Sequence, residues 1–271
     1  MPAPSIAAAS MRAARIVWHA STDESAWIDA AVGYVRGALQ AELGTHHATW
    51  LLLSGGTTPA PVYCTLAEQT LDWARIVVSL VDDRDVDPAA DGSNARLVRE
   101  TLLRDRAACA RFQPLHTAGQ SLQDAVRASN ASWLRNDDSR GVRSDGAGES
   151  RANDADKNAN VSIAVAVLGM GDDGHTASLF PGATNLDAAL ASTAPYAAID
   201  AACCPAAGIW PHRISLTPAG LAQARQRILL IRGAQKRATF ERALAPGAVR
   251  DMPIRVAIDM ADSPLHVYWC P

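Results

Sequence analysis

The apolar residues of this chain fall into short unbroken runs, and the stretches between the runs repeat at helical spacing. Runs at 14–18, 48–53, 76–81, 161–168 and 227–231 are short for helices and rich in β-branched side chains. Such runs read as strands buried on both faces, the mark of a parallel sheet. Residues 213–216 read as a shorter strand, and 265–269 as a final edge strand. Between the first two runs, Trp27, Ala31, Tyr34, Val35, Ala38 and Leu39 keep a helical period. Ser21, with Glu24 three residues on, forms a capping box that starts this helix, and Gly44 ends it. Ser93 and Asn94 cap a helix expected to end near residue 106. Further helices are expected over 120–134, from Thr217-Pro218 through Leu221 and Ala224, and from the region of Ala234. Residues 183–207 carry no clear pattern.

Chemistry collects where the runs end. The run 161–168 passes at once into GMGDDGHTASLFP, where Gly169, Gly171 and Gly174 alternate with Asp172, Asp173 and His175. A rigid strand thus delivers two carboxylates and an imidazole to the place where open α/β sheets bind ligands, beyond the carboxyl ends of the strands. The glycines formally satisfy G-x-G-x-x-G, but Pro181 stands where a phosphate-binding helix should run, and the aspartates would repel a pyrophosphate. Dinucleotide binding is therefore set aside. The run 48–53 passes into Ser54, Gly55, Gly56, Thr57, Thr58 and Pro59, a turn of small and hydroxyl residues opening a helix. Its free N–H groups and the positive helix end suit an anion. It lacks the Gly-Lys-Ser/Thr ending of a Walker loop. The run 76–81 passes into Asp82, Asp83, Arg84 and Asp85. Lys236 falls in the first turn of a helix, where a cation is disfavoured unless an anion binds nearby.

With 271 residues and a net charge of −3, the chain shows no basic stripe, which argues against nucleic acid. No stretch reaches transmembrane length, and the first ten residues do not read as a signal peptide. The five cysteines lack metal-ligand spacing, the adjacent Cys203 and Cys204 included, and suit a reducing, cytoplasmic setting. No metal or other cofactor is expected. Residues 136–160 are too polar to bury surface that would offset their ordering, and are expected to be a mobile insert. The expectation is a flexible N-terminus over 1–13 and a single domain over 14–271 that carries this insert. Oligomeric state is left open.

In order, the motifs are SGGTTP, DDR followed by SN, LGMGDDGHTASLFPG, HRISLT and GAQK. This set resembles the 6-phosphogluconolactonase family, within a superfamily that includes amino-sugar-phosphate deaminases and pentose-phosphate isomerases. The resemblance implies a doubly wound α/β/α sandwich, its sheet mainly parallel, with a small, partly antiparallel subregion. It implies that Ser54, Gly55, Gly56, Thr57 and Thr58 hold a 6-phosphate together with Arg84, Arg213 and Lys236. Asp83 stands where the family has glutamate, and the polar insert and the Cys270-Pro271 ending also depart from its pattern.

The activity implied is hydrolysis of 6-phospho-D-glucono-1,5-lactone in the oxidative pentose phosphate pathway. A lactone is already electrophilic, so what it needs is a base for water, an oxyanion donor and an anchor. His175 would be the base, since an ordinary imidazole titrates near working pH. Asp173 or Asp82 would orient it, and backbone N–H groups of Gly169, Gly171 and Gly174 would face the oxyanion. The alternatives are an amino-sugar-phosphate deaminase or isomerase and a sugar-phosphate sensor without turnover. A deaminase would be expected to show Asn-Glu-Pro where this chain has Ser178-Leu179-Phe180-Pro181.

Overall fold

A computed structural model describes residues 11–137 and 161–271. In chain order it has β1 (Ile16–Ala20), α1 (Glu24–Leu43), β2 (Ala48–Leu53), α2 (Ala60–Ala67), β3 (Ile76–Leu80), β4 (Asp82–Arg84), α3 (Asn94–Thr101), β5 (Arg111–Phe112) and α4 (Leu122–Asp137). It continues with β6 (Val161–Leu168), α5 (Leu186–Leu190), β7 (Tyr196–Asp200), β8 (His212–Leu216), α6 (Pro218–Leu221), β9 (Ala224–Arg232), α7 (Gly233–Leu244), α8 (Arg255–Asp259) and β10 (Leu265–Cys270).

The apolar runs do form one parallel sheet, seven strands in the order β1-β10-β9-β6-β2-β3-β5. Its middle is driest: residues 163–168 of β6 and 50–53 of β2 are buried, as strands covered on both faces must be. Helix α1 lays Trp27, Ala31, Val32, Val35 and Leu39 on the core as one stripe. From β2 the chain winds outward to β3 and β5, and from β6 it winds the other way to β9 and β10. Neighbouring strands β2 and β6 therefore bound the switch point, and a crevice opens beyond their carboxyl ends.

The smaller sheet, β4-β8-β7, is antiparallel. A single residue, Val81, joins it to the larger one: its N–H donates to Leu53 O (2.9 Å), and its carbonyl accepts from Leu216 N (2.8 Å). The Tyr196 hydroxyl adds a bond to Leu80 O at 2.7 Å.

Several sequence expectations need correction. The 265–269 strand is interior, between β1 and β9, and β1 is the edge. Its neighbour β9 starts at Ala224, so that residue extends a strand and not the short helix α6. Asp23 caps α1 by accepting from Ala26 N, in place of the Ser21 box. Helix α3 stops at Thr101, and a separate 3-10 turn covers Asp105–Cys109. Asp82, Asp83 and Arg84, placed just past the end of the 76–81 run, form a strand of their own, β4. The unassigned stretch contains β7. The expected flexible start and mobile insert lie, apart from residues 11–13 and 136–137, outside the described residues.

Candidate active site

The crevice at the switch point is a cleft of about 370 Å³. Ser54, Gly55, Gly56, Thr57 and Thr58 line it from β2, Asp82 and Arg84 from β4, and Gly169, Gly171 and His175 from the turn after β6. Arg213 of β8 and Lys236 of α7 complete the set. Asp173 and Gly174 do not line it, although Asp173 reaches the lining histidine.

The turn after β6 folds on itself. Thr176 Oγ1 donates to Gly169 O (2.8 Å), Gly171 N to His175 O (2.9 Å) and Gly174 N to Gly171 O (3.1 Å). This corrects the oxyanion expectation for two glycines: the N–H groups of Gly171 and Gly174 are spent inside the turn. Gly171 matters for another reason. A β-carbon there would lie 2.1 Å from His175 Nδ1 and 2.5 Å from Asp173 Oδ1, so only glycine leaves room for that pair.

Asp173 Oδ1 sits 2.6 Å from His175 Nδ1 and also accepts the His175 backbone N–H at 3.1 Å. Burial acts to raise the Asp173 carboxyl, but the hydrogen bond and charge of His175 outweigh it and hold the group below its ordinary value. An ionised Asp173 makes Nδ1 the donor and leaves Nε2 with its lone pair. Phe180 packs against the imidazole, ring centroids 4.3 Å apart. Asp82 has other partners: its Oδ2 accepts from Ser178 Oγ at 2.6 Å, and Asn94 Nδ2 lies 3.5 Å from Oδ1. Asp173 is thus the aspartate in contact with the ring.

In the cleft wall, antiparallel pairing sets Arg84 directly opposite Arg213. Like charges so placed repel unless something negative lies between them. Each guanidinium is aimed by neutral acceptors. Arg84 Nη1 donates to Asn94 Oδ1 (2.8 Å) and to Gly92 O, with Trp210 stacked beside the group at 5.8 Å. Arg213 donates to Trp210 O (2.6 Å) and Ala207 O (2.8 Å), over the Phe180 ring at 5.4 Å. Burial lowers the Arg213 pKa, with Asp82 drawing it back up. Arg84 Nε and Ser54 Oγ are buried without a hydrogen-bond partner, and both belong to residues of the cleft.

Lys236 is held at the histidine turn. Its Nζ donates to Met170 O at 2.8 Å and pairs with Asp172 at 3.1 Å, beside the histidine turn. Two residues expected in other roles find their place around the cleft. Ser93, not Asn94, caps α3, and Asn94 instead lines the cleft between Gly55, Arg84 and the Asp82 carbonyl (2.8 Å). Asp83 proves structural, accepting from Asn94 N (2.7 Å), Ala95 N (3.1 Å) and Ser93 Oγ (3.1 Å) at the start of α3. Ala177, in the cleft wall, takes φ of 48°, a left-handed conformation rare for an L residue; sequence carries no signal for it. Among the described residues no cluster of three or more His, Cys, Asp or Glu could hold a metal ion, and no helix is long and apolar enough to cross a membrane.

Residues 22–269 match the family described as glucosamine-6-phosphate isomerases/6-phosphogluconolactonase. The 6-phosphogluconolactonase of Xylella fastidiosa (strain 9a5c) is 41% identical over 257 residues, covering 95% of this chain and 97% of that protein. The 6-phosphogluconolactonase of Rhizobium meliloti (strain 1021) is 35% identical over 253 residues, 93% of this chain and 98% of that one. Among solved structures, a 6-phosphogluconolactonase from Shewanella baltica OS155 aligns with a TM-score of 0.79 at 29% identity, covering 94% of this chain and 98% of the other.

Proposed function

The chain belongs to the glucosamine-6-phosphate isomerase/6-phosphogluconolactonase family, and on that premise we propose that His175, held by Asp173, is the base of its lactone hydrolysis. The enzyme opens 6-phospho-D-glucono-1,5-lactone to 6-phosphogluconate in the oxidative pentose phosphate pathway. His175 Nε2 takes a proton from water as the water oxygen attacks C1. The carbonyl electrons move onto oxygen, and the Gly169 N–H faces that oxyanion. Collapse then expels the ring oxygen, which takes the proton back from the imidazolium. Water is added across the C1–O bond, and one carboxylic acid and one hydroxyl result. Asp173 keeps the ring in its Nδ1–H tautomer and favours the transient positive charge. Asp82, also in the cleft wall, is the next base to test.

Phosphate binds between Arg84 and Arg213, with the N–H groups of Gly55, Gly56, Thr57 and Thr58 and the ammonium of Lys236 completing the shell. The observation that carries this reading is the pair of arginines set face to face by the register of β4 and β8, both lining the cleft. Each charge-assisted hydrogen bond there is worth roughly 1.5–3 kcal/mol. No cofactor, nucleic acid or membrane enters the reaction. We place it in the cytoplasm, a setting that suits five free thiols.

The test is direct. Freshly made 6-phosphogluconolactone is mixed with the enzyme, and loss of lactone is followed against the uncatalysed rate. Acceleration that survives EDTA supports the reading; binding of 6-phosphogluconate without acceleration would mean a sensor.

A further inference from the structure

Cys203 and Cys204 take no part in the proposed chemistry, yet their placement is specific. In an extended chain, neighbouring side chains point to opposite faces. Here a turn, closed by Cys204 N–H donating to Ala201 O at 2.9 Å, brings the two Sγ atoms within 4.0 Å on one side. Both are free thiols, Cys203 exposed and Cys204 buried. Each donates to one of two successive carbonyls: Cys203 to Gly182 O at 3.0 Å, Cys204 to Pro181 O at 3.4 Å.

We propose that this pair is a two-thiol binding site for a trivalent arsenical or a similar thiophilic metalloid. An arylarsonous acid, Ar–As(OH)2, would exchange both hydroxyls for sulfur. Two As–O bonds and two S–H bonds break, two As–S bonds form and two waters leave; arsenic stays trivalent. Cys203 reacts first because it is exposed. Burial and the neighbouring thiol push Cys204 up to about 11, so it enters as the thiol in the ring-closing step.

Occupation would be felt in the cleft. Both S–H donors to the Pro181 and Gly182 carbonyls would be lost, and Phe180, just before them, packs on His175. On the other side, Pro205–Ala207 follows directly, with Ala207 O holding Arg213 and Ala206 lining the cleft. This activity arm rests on the lactonase reading; the binding arm does not.

The probe is phenylarsine oxide on the whole chain, read by intact-protein mass spectrometry under excess monothiol. One phenylarsenic per chain should survive the monothiol and be stripped by a dithiol. Closing the second bond within one molecule should hold it about 10²–10⁴-fold more tightly than in Cys203→Ser or Cys204→Ser. A Cys64→Ser/Cys109→Ser/Cys270→Ser triple variant should retain the adduct. Should the buried Cys204→Ser fail to fold, the exposed Cys203→Ser decides alone. An adduct that persists in Cys203→Ser, or one that a monothiol strips from the wild type, overturns the site. An adduct that holds while lactone turnover stays unchanged overturns only the coupling to the cleft.

Discussion

The two sheets meet at Val81 and equip the cleft in different ways. The large parallel sheet contributes through the turns beyond its strands: the 54–58 backbone after β2 and the histidine turn after β6. The small antiparallel sheet contributes side chains of the strands themselves, Arg84 and Arg213 set opposite each other by register. A group on a turn can be changed with little cost to the strand that carries it. A charge fixed by register is tied to folding, because its hydrogen bonds also satisfy backbone carbonyls. The comparison predicts a division of labour, with turnover from the histidine turn of the large sheet and phosphate affinity from the arginines of the small one, supplemented by the 54–58 backbone.

The largest expected effect comes from His175→Asn, which keeps much of the shape and removes the proton acceptor. Turnover should fall by about 10²–10⁴-fold, the usual share of a general base, with little change in KM. The loss should be as large on unphosphorylated gluconolactone. Near wild-type turnover on both lactones would move the base elsewhere, to Asp82 first. Next comes Gly171→Ala, where the added methyl must displace the His175–Asp173 pair. A misplacement on the order of 1 Å can cost about 10²-fold in rate, and that drop in kcat, with KM held, is the expected reading.

Arg213→Met tests the other sheet. Losing one charge-assisted bond of roughly 1.5–3 kcal/mol should raise KM for the phosphorylated lactone about 10–150-fold and leave the unphosphorylated one nearly untouched. Because Arg213 also satisfies Trp210 O and Ala207 O, the melting temperature should fall as well, and by more than in His175→Asn. Equal KM effects on both lactones would break the division of labour.

What the sequence makes legible follows the same split. Apart from the two-residue β5, the strands of the large sheet are unbroken apolar runs, so they and the turns after them stand out in the sequence. Gly55, Gly56 and His175 can be singled out because each follows such a run. In the small sheet only β8 gives such a signal, as the short run at 213–216. That sheet's strand β4 is three residues, two of them aspartates, and its inner positions are covered by tertiary contacts that periodicity cannot see. Arg84 stands out only as a charge at the end of the 76–81 run, Arg213 only through the family resemblance, and their mutual register comes only from the fold. For the same reason Asn94 passes for a cap in the sequence, and the choice between Asp173 and Asp82 stays open there. Spacing along the chain says nothing about Ser178, 96 residues from Asp82, filling the hydrogen bond that the histidine does not.

Lys236→Met sharpens the comparison at its boundary, since this cation sits on the large-sheet side. Its ammonium is already paired with Asp172 and with Met170 O. The charge it can offer substrate is therefore partly compensated, and the expected rise in KM is under about tenfold, or about 1.4 kcal/mol. A rise matching that of Arg213→Met would mean that the lysine holds the phosphate as strongly as the arginine does.

The smallest effect concerns pH and belongs wholly to the histidine turn. In the folded chain burial pulls the Asp173 carboxyl upward, but the hydrogen bond and charge of His175 outweigh that pull and hold it below the ordinary value of 3.8. A carboxyl lowered by folding stabilises the fold above its unfolded pKa, and the gain fades as pH drops through the folded pKa. Wild type should thus melt a few degrees at most above Asp173→Asn near pH 6. The gap should hold down to the ordinary carboxylate range and close below it. Both main lowering influences come from one imidazole, so a His175→Ala background should narrow the gap at pH 6 and move its loss toward higher pH. A gap of the same size at about pH 6 and about pH 2.5 would mean that Asp173 supports the turn by shape and not by charge. The Nδ1–H tautomer of His175 would then lose its physical cause, since only an ionised Asp173 obliges Nδ1 to donate.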